Sequence, residues 1–201
     1  SYDVAGNVEE GLTRVDSKGN AALALAKSID VSKDGLTYTV TLRDNLKWSN
    51  GDKLTAKDFV YSWKRAVDPK TGSEYAYLMG AVSGANNIIS GKSSLDSLGI
   101  KAESDTEFTV TLAQPTPYFK FLLSEPVYYP LDQKVVDKYG KQYGTSSDKT
   151  VYNGPFMFKS DKGWTGTNKT FSIYANPNYY EKSAVKSKQI DFQVISNANT
   201  G

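Results

Sequence analysis

Carboxylates are the acid–base candidates left to this sequence, because its 201 residues include no histidine and no cysteine. That double absence removes Ser-His-Asp triads, Cys-His pairs, disulfides and thiolate or imidazole metal sites in one step. Two carboxylate pairs stand out: Glu9 with its neighbour Glu10, and Asp132 with Asp137 on a predicted helix. Paired carboxylates flanking a scissile bond are the machinery of glycoside hydrolysis, which needs one of them buried with a raised pKa. No polar residue near either pair demands such burial, so both read as solvated charge. Neither phosphate-loop pattern, GxxxxGK[ST] or GxGxxG, occurs. Tyrosine is plentiful, 14 against 8 Phe and 3 Trp. An apolar ring with a polar tip suits a surface that grips varied ligands, and it suits β-rich packing equally well. With 24 Lys and Arg scattered among 22 Asp and Glu, the net charge is only +2, which makes nucleic acid and anionic membranes poor partners.

The elements that position such residues are organised around stretch 36–69. Tyr38, Val40 and Leu42 alternate with Thr37, Thr39 and Thr41, the period-2 pattern of a half-buried strand. Asn50-Gly51 predicts a reversal, since these residues reach positive φ most cheaply. Thr55 and Asp58 predict a capping box, and Phe59, Trp63 and Ala66-Val67 then form a buried stripe until Asp68-Pro69 stops the helix. Trp48 and Trp63 could serve as ligand platforms, but this spacing assigns both to the core.

Elsewhere, 107–113 (EFTVTLA) nearly repeats 38–43 (YTVTLR), which predicts two paired strands of one sheet and no internal duplication. Gly11 is expected to close the first segment with a positive φ. Short helices are predicted over 75–81 and 86–90, the latter closed by Gly91. Thr116 is expected to cap a helix with Pro117 at its first position and Tyr118 to Leu123 helical, and Pro126 and Pro130 to bracket an extended crossing. Asp132 should cap a helix running through Val135 and Val136 to Tyr139, before strands at 156–159, 170–175 and 189–195. Stretch 21–29 (AALALAKSI) has helical propensity.

The run LRDNLKWSNGDKLTAKDFVYSWKRAVDP closely resembles the signature region of the extracellular solute-binding proteins that feed peptide ABC importers, the oligopeptide-binding or family 5 group. SEYAYL, ANNIISGK, FTVTLAQPTPYF, VYNGPF and NPNYY follow in that family's order. The resemblance implies an α+β fold of mixed sheets with packed helices. Residues 10–129 would form the small second domain of a type II-like periplasmic peptide-binding protein, and 130–201 part of its first domain. It implies that 21–29 is extended or irregular, and that the chain is a fragment whose polar end SNANTG is a cut. The N-terminal SYDVAGNVEE has none of the basic and apolar regions of a signal peptide.

What the resemblance implies functionally is a monomeric, non-enzymatic binder without cofactor or metal. It would be lipid-anchored outside the cell or periplasmic, capturing oligopeptides for a membrane permease. A peptide pheromone, dipeptides or nickel are alternative ligands within the family, and a surface adhesion or structural module is the alternative outside it. Tyr75 aligns with a family tyrosine that lines the ligand cleft; otherwise it is a packed helix tyrosine. Asn153-Gly154 matches the family's Asn-Gly before a strand; otherwise it is simply a turn.

Overall fold

The structure, a computed structural model, describes residues 2–159 and 163–195. The terminal SNANTG read as a cut lies outside the described residues. In chain order come α1 (Tyr2–Val8), β1 (Thr13–Val15), β2 (Ala21–Leu23), β3 (Ala26–Val31) and β4 (Thr37–Leu42). Next are α2 (Ala56–Val67), α3 (Ala85–Ile89), β5 (Ile100–Ala102), β6 (Glu107–Thr111) and α4 (Phe119–Leu122). After them follow α5 (Gln133–Tyr139), β7 (Phe156–Met157), β8 (Thr170–Ala175) and β9 (Gln189–Gln193). Helices and antiparallel sheets give the expected α+β class. The chain divides into two compact units, one of Glu10–Leu46 and Leu54–Leu131, the other of Ser1–Glu9, Lys47–Lys53 and Asp132–Gly201.

The first of these is built on a four-stranded sheet of order β3-β4-β6-β5. The repeated face patterns pair as predicted: Tyr38 lies opposite Val110 and Val40 opposite Phe108. All four of these side chains are buried, while the threonines of β4 stay half-buried on the other face. Helix α2 starts where Asp58 accepts the Thr55 N–H at 2.9 Å, and it ends at Asp68. Its stripe packs on the sheet, Phe59 stacked on Phe108 at 5.2 Å and Trp63 edge-on to the same ring at 6.1 Å. Trp63 is fully buried and its indole N–H donates to the Tyr128 carbonyl at 2.8 Å, so the large apolar ring enters the core without an orphaned donor. Stretch 21–29 is extended, in β2 and β3, against its helical propensity. Pairing of β3 with β4 satisfies its backbone and overrides the local preference.

Three local expectations change. Gly11 is not in the left-handed region; a Cβ there would lie 2.7 Å from the Leu123 carbonyl oxygen and from the Tyr129 ring, so glycine serves close packing. Thr116 does not cap α4. Its hydroxyl donates to the Gln114 carbonyl at 3.0 Å and its own carbonyl accepts from Phe119 N–H at 2.9 Å, so Thr116-Pro117-Tyr118-Phe119 is a turn and the helix starts after Tyr118. The crossing after Pro126 is not extended but a 3-10 turn over Pro126–Tyr128. Proline presets φ for its first residue, and the turn drives Tyr128 inward.

The second unit carries the sheet β7-β8-β9 over a small core of Val8, Tyr152, Phe156 and Ile173. The Asn50-Gly51 reversal belongs to it: Gly51 has φ 92° and Trp48 N–H donates to the Asp52 carbonyl at 2.8 Å. Ser49 ties this hairpin to Tyr152 through reciprocal bonds of 2.7 and 3.0 Å. Trp48 is buried, as expected. No helix among the described residues is long and apolar enough to cross a membrane.

Candidate functional site

Tyr75 is the third residue of the turn Ser73-Glu74-Tyr75-Ala76, closed by a bond of 3.3 Å from Ala76 N–H to the Ser73 carbonyl. A 3-10 turn over Ala76–Ala81 follows at once. The base of that turn is rigid. Met79 is fully buried, Ala113 N–H donates to the Ala81 carbonyl at 2.9 Å and Ser83 N–H to that of Thr111 at 2.8 Å, so the segment runs on as an extra rung beside the end of β6. Tyr75 is 48 % exposed, so the packed-helix reading does not describe it. Tyr77, two residues on, is more exposed still. A half-exposed aromatic on a fixed backbone offers binding area at little entropic cost, since only two side-chain torsions must be ordered.

Beneath this turn lies Tyr128, fully buried, whose hydroxyl donates to the Leu78 carbonyl at 2.7 Å. Burial pushes that phenol well above its ordinary pKa, and the neighbouring Tyr118 adds to the effect. It is a donor of fixed orientation and not an acid. Tyr118, which the sequence reading treated only as part of a helix, is exposed.

The carboxylate pairs do not assemble. Asp132 is buried, its Oδ1 accepting from Lys134 N–H at 2.9 Å and Val135 N–H at 3.4 Å, whereas Asp137 is exposed on α5. Asp132 is a helix cap, as expected, though not the solvated charge assumed for the pair. Glu10 is likewise buried and pairs with Arg14 at 3.0 Å. Glu9 is half-buried as a residue, and desolvation pushes its carboxyl up from 4.5 to about 7. Its backbone and that of Val8 are clasped by Asn153 and Gly154, whose N–H groups both donate to the Val8 carbonyl, at 3.2 and 2.9 Å. Asn153-Gly154 is therefore not a reversal with positive φ. A Cβ on Gly154 would lie 2.6 Å from the Val8 carbonyl carbon, so glycine is required for this close approach.

A cleft of about 630 Å³ opens in the same unit beside β8 and β9, lined by Thr165, Asn168, Thr170, Ser172 and Gln193 among others. None of the residues singled out from the sequence lines it. Among the described residues no three His, Cys, Asp or Glu side chains cluster as a metal site would need.

Comparison with known proteins adds a consistent set of relatives. The model of the bacterial extracellular solute-binding proteins, family 5, matches residues 20–201. A dipeptide-binding protein of Lactococcus lactis subsp. cremoris (strain MG1363) is 97 % identical over 201 residues, which is 100 % of this chain and 36 % of that protein. The oligopeptide-binding protein OppA of Bacillus subtilis (strain 168) is 42 % identical over 95 % of this chain and 34 % of its own length. The chain thus spans about a third of the length of these curated relatives. Among solved structures, Listeria monocytogenes OppA bound to peptide superposes with a TM-score of 0.94 at 43 % identity, covering 99 % of this chain and 39 % of that one. The pheromone receptor PrgZ gives 0.93 at 42 %, covering 98 % and 39 %.

Proposed function

Since this chain belongs to family 5 of the bacterial extracellular solute-binding proteins, we propose that it is part of the peptide-capturing component of an ABC importer, taking oligopeptides outside the cell and passing them to a membrane permease. In this reading residues 10–129 are the small second domain of the peptide-binding fold and 130–201 a portion of the first. The full-length protein is a monomer, lipid-anchored on the outer face of the membrane or free in a periplasm, and it performs no reaction. The observation that carries the reading is Tyr75: a half-exposed ring, on a turn pinned to the sheet, in a fold that superposes on peptide-bound OppA. Tyr75 forms part of the ligand wall. An extended peptide held through its backbone, with water filling roomy side-chain pockets, needs such walls and no catalytic group.

Short peptides deserve a place beside long ones, because a relative of 97 % identity is a dipeptide-binding protein. Mass spectrometry of what co-purifies with the full-length protein tests both readings. A spread of peptides of several residues supports the first and a population of dipeptides the second. A non-peptide ligand as the sole species would overturn the proposal.

A further inference from the structure

Tyr118 occupies the same local structure as Tyr75. In each case a hydroxyl residue opens a four-residue turn, Ser73-Glu74-Tyr75-Ala76 or Thr116-Pro117-Tyr118-Phe119, closed by the fourth N–H on the first carbonyl at 3.3 and 2.9 Å. Each tyrosine is the third residue, with φ −100° and ψ 10° at Tyr75 and φ −91° and ψ 10° at Tyr118, the conformation of that position in a type I turn. Each precedes a short helical segment. A ring displayed this way is aimed by the backbone and needs no packing of its own: Tyr75 is 48 % and Tyr118 61 % exposed.

The two turns share one buried anchor. The Tyr128 hydroxyl holds the Leu78 carbonyl at 2.7 Å, and Leu78 N–H in turn holds the Tyr75 carbonyl at 3.0 Å. The ring of Tyr128 meets that of Phe119, the residue after Tyr118, edge-on at 5.9 Å between centroids. One fully buried side chain therefore touches both of the segments that carry the exposed tyrosines. Tyr118 also adds to the upward shift of the Tyr128 phenol, in keeping with this proximity.

From this arrangement we propose that Tyr118 is a second ligand-contacting ring, forming with Tyr75 a shelf for a ring-bearing side chain (Phe, Tyr, Trp or Pro) of the bound peptide. The proposal rests on the peptide-capture reading above. Ring faces favour offset or edge-on contact with another ring, so the shelf adds selectivity to a site whose affinity comes from peptide backbone.

The test is calorimetry on the full-length protein with hexa-alanine and with hexa-alanine carrying one Phe at each position in turn. The wild type should bind at least one Phe peptide more tightly than hexa-alanine. Tyr118→Ala should lower affinity for that peptide about fivefold more than for hexa-alanine and leave Tm unchanged, while Tyr118→Phe keeps the preference. Retention of the full Phe preference by Tyr118→Ala overturns the proposal. So does an equal loss for both peptides with a lowered Tm, which assigns the ring to packing, or intact affinity with impaired uptake, which assigns it to the permease. A wild type that binds no peptide of the set overturns the underlying reading and the shelf with it, an outcome distinct from the others because all of them retain wild-type binding.

Discussion

Replacing Glu9 by Gln should stabilise this chain at neutral and alkaline pH and leave it nearly unchanged in acid. Burial raises the Glu9 carboxyl from 4.5 to about 7, so the folded state favours the protonated form. Below pH 4.5 both states carry the proton and ionisation costs nothing. Between 4.5 and 7 the unfolded chain releases its proton first, and stability falls as pH rises; above 7 both states are ionised and the loss is complete. Taken whole, a shift of that size corresponds to about 3 kcal/mol, an upper bound because Glu9 is only half-buried and keeps part of its surface in water, and for a chain of this length it sets a difference of at most about 10 °C in Tm. Glutamine cannot ionise and so escapes the loss. Its amide brings donors that cost a fixed amount at every pH if they find no partner, so the decisive quantity is the slope of the difference and not its offset. The sequence makes the measurement clean: with no histidine in the chain, no unperturbed side chain changes charge between pH 5 and 8. Thermal denaturation followed by circular dichroism from pH 4 to 9 should show the two Tm curves diverging between pH 4.5 and 7. Curves that stay parallel would refute the argument that the Glu9 carboxyl is desolvated at a cost.

The other predictions concern packing and binding. Trp63→Ala should destabilise the chain by about 3–5 kcal/mol in urea unfolding, because it empties the space between Phe108 and Tyr128 and strands the Tyr128 carbonyl; a loss below 1 kcal/mol would deny that ring its place in the core. Gly154→Ala should cost about 1–3 kcal/mol, since its Cβ would meet backbone at 2.6–2.7 Å, and a neutral change would show that the Val8–Gly154 contact yields easily. Tyr75→Ala in the full-length protein should weaken binding of co-purified peptides several-fold while Tm stays constant, because the ring is half exposed and its backbone is held from below. A lowered Tm with unchanged affinity would return Tyr75 to a packing role.

What could be read from the sequence is what its own neighbourhood determines. The strand, reversal and capped helix of 36–69 are each specified by residues within a few positions, and the pairing of β4 with β6 follows because the two strands share a face pattern that only one register buries on both sides. Gly11, and Gly154 where it was read simply as a turn, failed for the complementary reason. Their role is to let distant backbone approach, Leu123 in one case and Val8 in the other, and nothing beside a glycine in sequence announces such a neighbour. The carboxylates erred in the same direction: Glu9, Glu10 and Asp132 look like solvated charge along the chain, and tertiary context buries Glu10 and Asp132 and desolvates the Glu9 carboxyl, although the capping role of Asp132 was locally legible.

The tyrosines show how this limits the reading of function. Tyr75, Tyr118 and Tyr128 are one residue type with one chemistry, yet Tyr128 is fully buried and orients a carbonyl while the other two turn their rings to water. Composition could show that rings were available for binding but not which ones. Tyr75 was found only through a resemblance. Tyr118 has a weaker local signal, a hydroxyl residue two positions ahead of an aromatic at the third place of a turn, which becomes legible only when both turns are seen to hang from the same buried Tyr128. The proposed binding wall would be made by the core beneath it. Substitutions at Tyr128 should therefore disturb the exposed rings together, while each exposed ring can be exchanged without loss to the core.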